Sequence, residues 1–118
     1  MMIAKMRTML YVDDVEKVAS FWINLGAVEI ERTALPDDSV NLVVQLSDQV
    51  ELSFFTKSFI EAFSPEVLGN TPSLMLFTDK LVTLHAKIPN ALPITTQNGL
   101  ESFAFPDPEG NYFVFASM

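Results

Sequence analysis

The chain holds one histidine, His85, no cysteine, and fifteen acids against seven bases. That inventory narrows the available chemistry at once. His85 falls with Leu81, Leu84 and Ile88 on one apolar helical stripe, where an imidazole packs rather than catalyses. No serine, histidine and carboxylate stand together as a nucleophile set, no glycine-rich loop could cradle phosphate, and no cluster has metal-ligand spacing. Without cysteine there are neither disulfides nor thiolate metal sites, which fits a cytoplasmic protein. No catalytic residue and no cofactor is expected. The groups left with chemical potential are isolated polar side chains on strands, among them Arg7, Glu51, Ser53 and Ser73.

The charge balance narrows the partners. A formal net charge of −8 repels nucleic acid, whose binding needs a basic stripe that the sequence lacks. The same field favours cationic small molecules and supports solubility. No apolar run approaches the roughly 18 residues needed to span a bilayer. The opening MMIAKMRTMLYV mixes Lys5 and Arg7 into its apolar residues, so no export signal is expected. At 118 residues the chain is of a size for one domain with a sizeable core.

The elements that must position these groups follow from periodicity and turn signals. Ala4 to Val12 reads as a strand. Asp13 is expected to cap a helix, with Glu16 completing a capping box. Val15, Val18, Trp22 and Leu25 form its apolar stripe, and Gly26 stops it. Val28 to Thr33, Asn41 to Leu46 and Gln49 to Thr56 are three strands, the first two separated by a Pro36-Asp37-Asp38 turn. Lys57 to Gly69 is a connector with a short helical stretch. The order then restarts. Ser73 to Thr78 is a strand, Asp79 is expected to cap a helix that Pro89 ends, and Ile94 to Thr96 leads through Asn98-Gly99, a hairpin signal, into Leu100 to Phe105. The turn PDPEGN precedes a last strand, Tyr112 to Ser117. The chain thus reads as β-α-β-β-β twice: α+β, with module one at about 1–56, a connector at 57–69 and module two at about 70–118.

Strand alternation sorts side chains into two faces. Leu10, Val12, Leu52, Phe54, Leu74, Leu76, Phe113 and Phe115 form an apolar, helix-covered set. The opposite set is mixed: Arg7, Met9 and Tyr11; Glu51, Ser53 and Phe55; Ser73, Met75 and Phe77; Tyr112, Val114 and Ala116. A few polar groups among aromatic and thioether side chains suit a ligand site; an exposed sheet face or a dimer contact would have the same look.

Met9 to Ala27, MLYVDDVEKVASFWINLGA, resembles the opening of the vicinal oxygen chelate superfamily, which holds glyoxalases, extradiol dioxygenases and bleomycin resistance proteins. Phe105 to Asn111, FPDPEGN, resembles its closing turn, and the paired module order covers essentially the whole chain. The two-residue interval between Phe21-Trp22 and Leu25-Gly26 is closer to bleomycin-resistance-like members than to glyoxalase I. The resemblance implies curved mixed sheets around a cup that binds a small molecule, and commonly a homodimer, with or without exchanged modules.

Metal-dependent members place one ligand on each of four strands. The matching positions here are Arg7, Glu51, Ser73 and Val114. Only Glu51 could ligate strongly; Arg7 is a permanent cation, Ser73 a poor ligand, and Val114 has no donor. The resemblance therefore implies a metal site that has been lost. Arg7 and Glu51 are expected either to form an ion pair closing that position or to bind a polar ligand group. The expected function is metal-free binding of an aromatic or cationic ligand, such as an antibiotic, in a resistance role. A glyoxalase-like lyase or dioxygenase is the alternative, and a regulatory or structural dimer a third.

Overall fold

The computed structural model describes residues 1–118 as two compact units, Met1–Thr71 and Pro72–Met118. The first contains β1 (Met6–Val12), α1 (Val15–Asn24), β2 (Val28–Ala34), β3 (Val40–Ser47), β4 (Val50–Thr56), α2 (Lys57–Phe63) and a 3-10 turn at Pro65–Val67. The second contains β5 (Met75–Thr78), α3 (Leu81–Lys87), β6 (Thr95–Gln97), β7 (Leu100–Pro106) and β8 (Tyr112–Ser117). The repeated order expected from the sequence is present. Each unit is a four-stranded mixed sheet, ordered β1-β4-β3-β2 and β5-β8-β7-β6. In each, the first and last strands pair in parallel and the remaining pairs are antiparallel. The segment 57–69, expected as a connector, lies within the first unit as α2 and the 3-10 turn. No helix is long and apolar enough to cross a membrane.

In the first unit α1 packs on β3 and β4 through Val15, Val18, Ala19 and Trp22, all buried. The sheet meets it with Leu10, Val12, Leu42, Val44, Leu52 and Phe54, also buried. Removing this much apolar surface from water is the main stabilising term, at roughly 25 cal/mol per Å². Asp14, not Asp13, caps the helix: its carboxylate accepts from the Lys17 amide at 3.0 Å. The capping box therefore does not form. Asp13 lies 3.6 Å from Lys57, and Glu16 instead binds Arg32 through two contacts of 2.6 and 3.0 Å. Gly26 ends the helix at φ 108°, a conformation open to glycine at little cost.

The second unit is built round phenylalanines. Phe103, Phe105, Phe113 and Phe115 are buried on β7 and β8, and Phe105 stacks on Phe115 with ring centroids 5.0 Å apart. Leu81 and Ile88 are buried at the two ends of α3. His85 turns its ring edge-on to Phe103 at 4.9 Å, and its Nε2 lies 2.9 Å from the Leu92 carbonyl. It is a packed helix residue, as its apolar stripe implies. Asp79 does not cap α3. Lys80 occupies the cap position, and the local bond is instead from its amide to the Thr78 hydroxyl at 2.9 Å. Ile88 is extended before Pro89, as sterics with the proline ring require.

The turn before β8 has a defined construction. The buried Asp107 carboxylate accepts from the amides of Glu109 and Asn111, both at 2.9 Å. Its own amide donates to the Asn111 carbonyl at 2.8 Å, and the Gly110 amide donates back to the Asp107 carbonyl at 3.1 Å. Gly110 has φ 83°. This turn fixes the β7–β8 register, Pro106 opposite Tyr112 and Phe105 opposite Phe113.

Candidate functional site

In the first unit the mixed face assembles as rows across the sheet. Arg7 pairs with Glu51, Met9 with Ser53 and Tyr11 with Phe55 along β1 and β4. Strand β3 continues two of these rows with Gln45 beside Glu51 and Val43 beside Ser53. All six first-unit residues expected to line a ligand face therefore share one face in consecutive rows.

Glu51 organises one edge of that face. It is only 3% exposed, and a carboxylate is buried at low cost only when paired. Arg7 Nε donates to its Oε1 at 2.8 Å, and Lys5 Nζ to its Oε2 at 3.1 Å. Arg7 Nη2 donates onward to Glu31 at 2.8 Å. Of the two outcomes open at the sequence level for Arg7 and Glu51, the ion pair forms. The Arg7 hydrogen bond is the main cause that holds the Glu51 carboxyl below the usual carboxylate range, and the same bond raises Arg7. Glu51 is thus a fixed anion and Arg7 a fixed cation at neutral pH.

Glu31 reaches this cluster because β2 is irregular. Glu29 pairs with Val44 while Glu31 pairs with Val43, so the step across Ile30 is a bulge. A bulge redirects side chains between faces. Glu29 instead joins Glu16 around Arg32, tying the exposed edge strand to α1. A second polar group lies deeper: Asn41 Nδ2 donates to the Ser53 hydroxyl and to the Phe54 carbonyl, both at 2.9 Å, and Ser53 is buried.

The second unit places Met75 beside Val114 and Phe77 beside Ala116. Tyr112 stands at the start of β8, opposite Pro106. Met75, Phe77 and Tyr112 are exposed, Phe77 at 60%. Ala116 is buried, and Val114 is half-buried. Ser73 departs from expectation: β5 begins at Met75, so Ser73 precedes the strand and is exposed. The β5–β8 ladder starts at Met75, and Val114 donates its amide to the Leu74 carbonyl at 3.1 Å, which leaves Ser73 beyond the pairing. A separate open depression of about 600 Å³ in this unit is lined by Thr78, Asp79, Lys80, Leu81, Glu101 and Ser117 among others, and by none of the expected ligand residues.

The fit to a metal ion is poor. Glu51 already holds two cationic nitrogens, and no three His, Cys, Asp or Glu side chains gather where they could hold an ion. A divalent cation would have to displace Arg7 and Lys5 and then rest on a single carboxylate, short of the ligand count such ions need.

Sequence reasoning missed Lys5, Glu31 and Asn41, which complete the polar contacts. It also missed Phe59 and Phe63, which extend the aromatic row of Tyr11 and Phe55. Phe55, Phe59 and Phe63 recur every fourth residue, a signal available in the sequence.

No family model and no curated protein matches the sequence. Solved structures do match in fold. A member of the glyoxalase/bleomycin resistance protein/dioxygenase superfamily from Sphaerobacter thermophilus superposes at TM-score 0.75 with 23% identity, covering 100% of both chains. A lactoylglutathione lyase from Agrobacterium tumefaciens gives 0.71 with 19% identity, over 97% of this chain and 92% of that one. A bleomycin-binding protein, solved with bleomycin, gives 0.68 with 21% identity over 98% and 99%. The chain has the glyoxalase/bleomycin resistance fold.

Proposed function

We propose that this protein is a metal-free small-molecule-binding protein that sequesters an aromatic or cationic ligand, such as an antibiotic, in the cytoplasm. One observation carries the reading: Lys5 and Arg7 clamp Glu51, the one strong ligand among the four positions where metal-dependent relatives of this fold would bind their ion. The polar position is closed by charge pairing, while the face beside it keeps Met9, Tyr11 and Phe55, and the second unit keeps Met75, Phe77 and Tyr112. These are the chemistry of a binding surface without a reacting centre. The likeness in fold to a bleomycin-binding protein supports small-molecule binding as the use of these faces. The exposed Met9, Met75 and Phe77 also suit a homodimer in which such faces are covered, and light scattering tests that assembly.

The test combines elemental analysis of protein purified without chelator with Trp22 fluorescence during a ligand screen that includes bleomycin-type glycopeptides. The reading expects no stoichiometric metal and saturable binding of at least one aromatic or cationic compound. Lyase or dioxygenase activity appearing on addition of Zn, Ni, Mn or Fe, and lost in Glu51→Gln, would overturn it.

A further inference from the structure

The aromatic row of the first unit does not stop at the sheet. Strand β4 runs directly into α2, whose first turn is capped by the Thr56 hydroxyl accepting from the Phe59 amide at 3.0 Å. Phe59 and Phe63, four residues apart on α2, stand on one face, and Phe55 near the end of β4 meets the first of them. Phe55 and Phe59 stack at 5.8 Å between centroids and 14° between planes, and Phe59 and Phe63 at 4.7 Å and 25°. Tyr11 closes the inner end, tilted against Phe55 at 6.4 Å.

The column is not the helix's core contact. Ile60 is the residue of α2 that is buried, whereas Phe63 is 57% exposed. A surface helix normally spends its large apolar side chains on its packed face. Here the phenyl stripe is held rigid by mutual stacking, and its last ring meets solvent. Acids outnumber bases on this segment. Lys57, the one base on α2, lies beside Asp13, whereas Glu61 and Glu66 are exposed acids on the same segment. The whole chain carries −8.

We propose that Phe59 and Phe63 form a stacking platform for a planar aromatic cation, with Phe63 as its outermost ring. This rests on the ligand-binding reading above and adds the residues and the chemical class. A flat ring system gains dispersion and offset stacking on the exposed phenyl. A positive charge on it is attracted by the electron-rich ring faces and by the acidic field, whereas an anion of the same shape is repelled.

The experiment is a fluorescence-anisotropy titration with proflavine, a planar cation, against the full chain. Anthracene-2-carboxylate serves as the planar anion, and melting curves check the fold of each variant. Wild type and Phe63→Trp should bind proflavine, Phe59→Ala and Phe63→Ala should each weaken it by about tenfold, and the anion should bind more weakly than the cation. Phe63 is mostly exposed, so its alanine variant should fold and decides the matter even where Phe59→Ala does not. Proflavine binding with equal affinity to wild type and Phe63→Ala would overturn the platform while leaving the ligand-binding reading in place. Equal or tighter binding of the anion would overturn the cation assignment. If proflavine does not bind wild type the platform falls, and the ligand-binding reading falls with it only if the wider screen of aromatic and cationic compounds also returns nothing.

Discussion

Replacing Asp107 by alanine should expose how much the closing turn contributes. The substitution removes the acceptor of two amide bonds, from Glu109 and Asn111, both at 2.9 Å to a carboxylate that is 5% exposed. Bonds to a charged acceptor contribute about 1.5–3 kcal/mol each, and water reaching the freed amides returns part of that. A net loss of about 2–3 kcal/mol follows. For 118 residues, at about 2.1 cal/mol/K of unfolding entropy per residue, 1 kcal/mol corresponds to about 4 °C, so Tm should fall by about 8–12 °C. Asp107→Asn keeps an acceptor oxygen in place and should lose only about 1 kcal/mol, or about 4 °C. Thermal denaturation followed by circular dichroism measures both. An alanine variant melting within about 2 °C of wild type would refute the claim that these bonds hold the turn. An asparagine variant as damaged as the alanine one would show that charge, and not the acceptor, is what matters.

Other consequences are open to measurement. Gly110→Ala meets no steric neighbour but holds φ 83°, so it should cost roughly 1–2 kcal/mol in chemical denaturation through backbone conformation alone. Phe54→Ala, at a fully buried position, should cost about 3–5 kcal/mol, whereas Phe77→Ala, at an exposed one, should change stability by less than about 0.5 kcal/mol. The pH dependence has a definite sign. The folded-state pKa of Glu51 is lowered, chiefly by the Arg7 hydrogen bond, so its contribution is present above the unfolded value of about 4.3 and is lost as pH falls through the folded value. Glu51→Gln should therefore flatten the acid limb of the stability curve and leave its slope near neutral pH unchanged.

The repeat of strand and helix order could be read from hydrophobic period and turn residues, because each period is a local property of the chain. Face assignment on β1 and β4 also succeeded, since alternation alone puts Arg7, Met9 and Tyr11 together. Alternation does not give register. That Arg7 lies beside Glu51, and not one row away, is set by the parallel β1–β4 ladder, whose strands are far apart in sequence. Glu31 was hidden for a similar reason: the bulge at Ile30 changes the face of everything before it, and no residue type in VEIERTA marks it. The helix caps moved by one residue where two candidates are adjacent. Asp13 and Asp14 are chemically equal, and the choice falls to Asp14 because Val15 begins the buried stripe. Ser73 was lost to β5 because pairing with β8 begins two residues later. Phe59 and Phe63 were hidden for another reason: β4 runs straight into α2, so helical spacing begins where strand alternation ends and neither period covers all three rings.

Lys5 and Arg7 together hold both carboxylate oxygens of Glu51, and the proposed metal-free function rests on that clamp. Elemental analysis of the protein, purified without chelator and then dialysed against Zn, Ni, Mn and Fe in turn, tests it most directly. Wild type should retain no divalent metal in stoichiometric amount, because Arg7 and Lys5 already occupy both oxygens of Glu51. One equivalent of metal retained by wild type and absent from Glu51→Gln would contradict it.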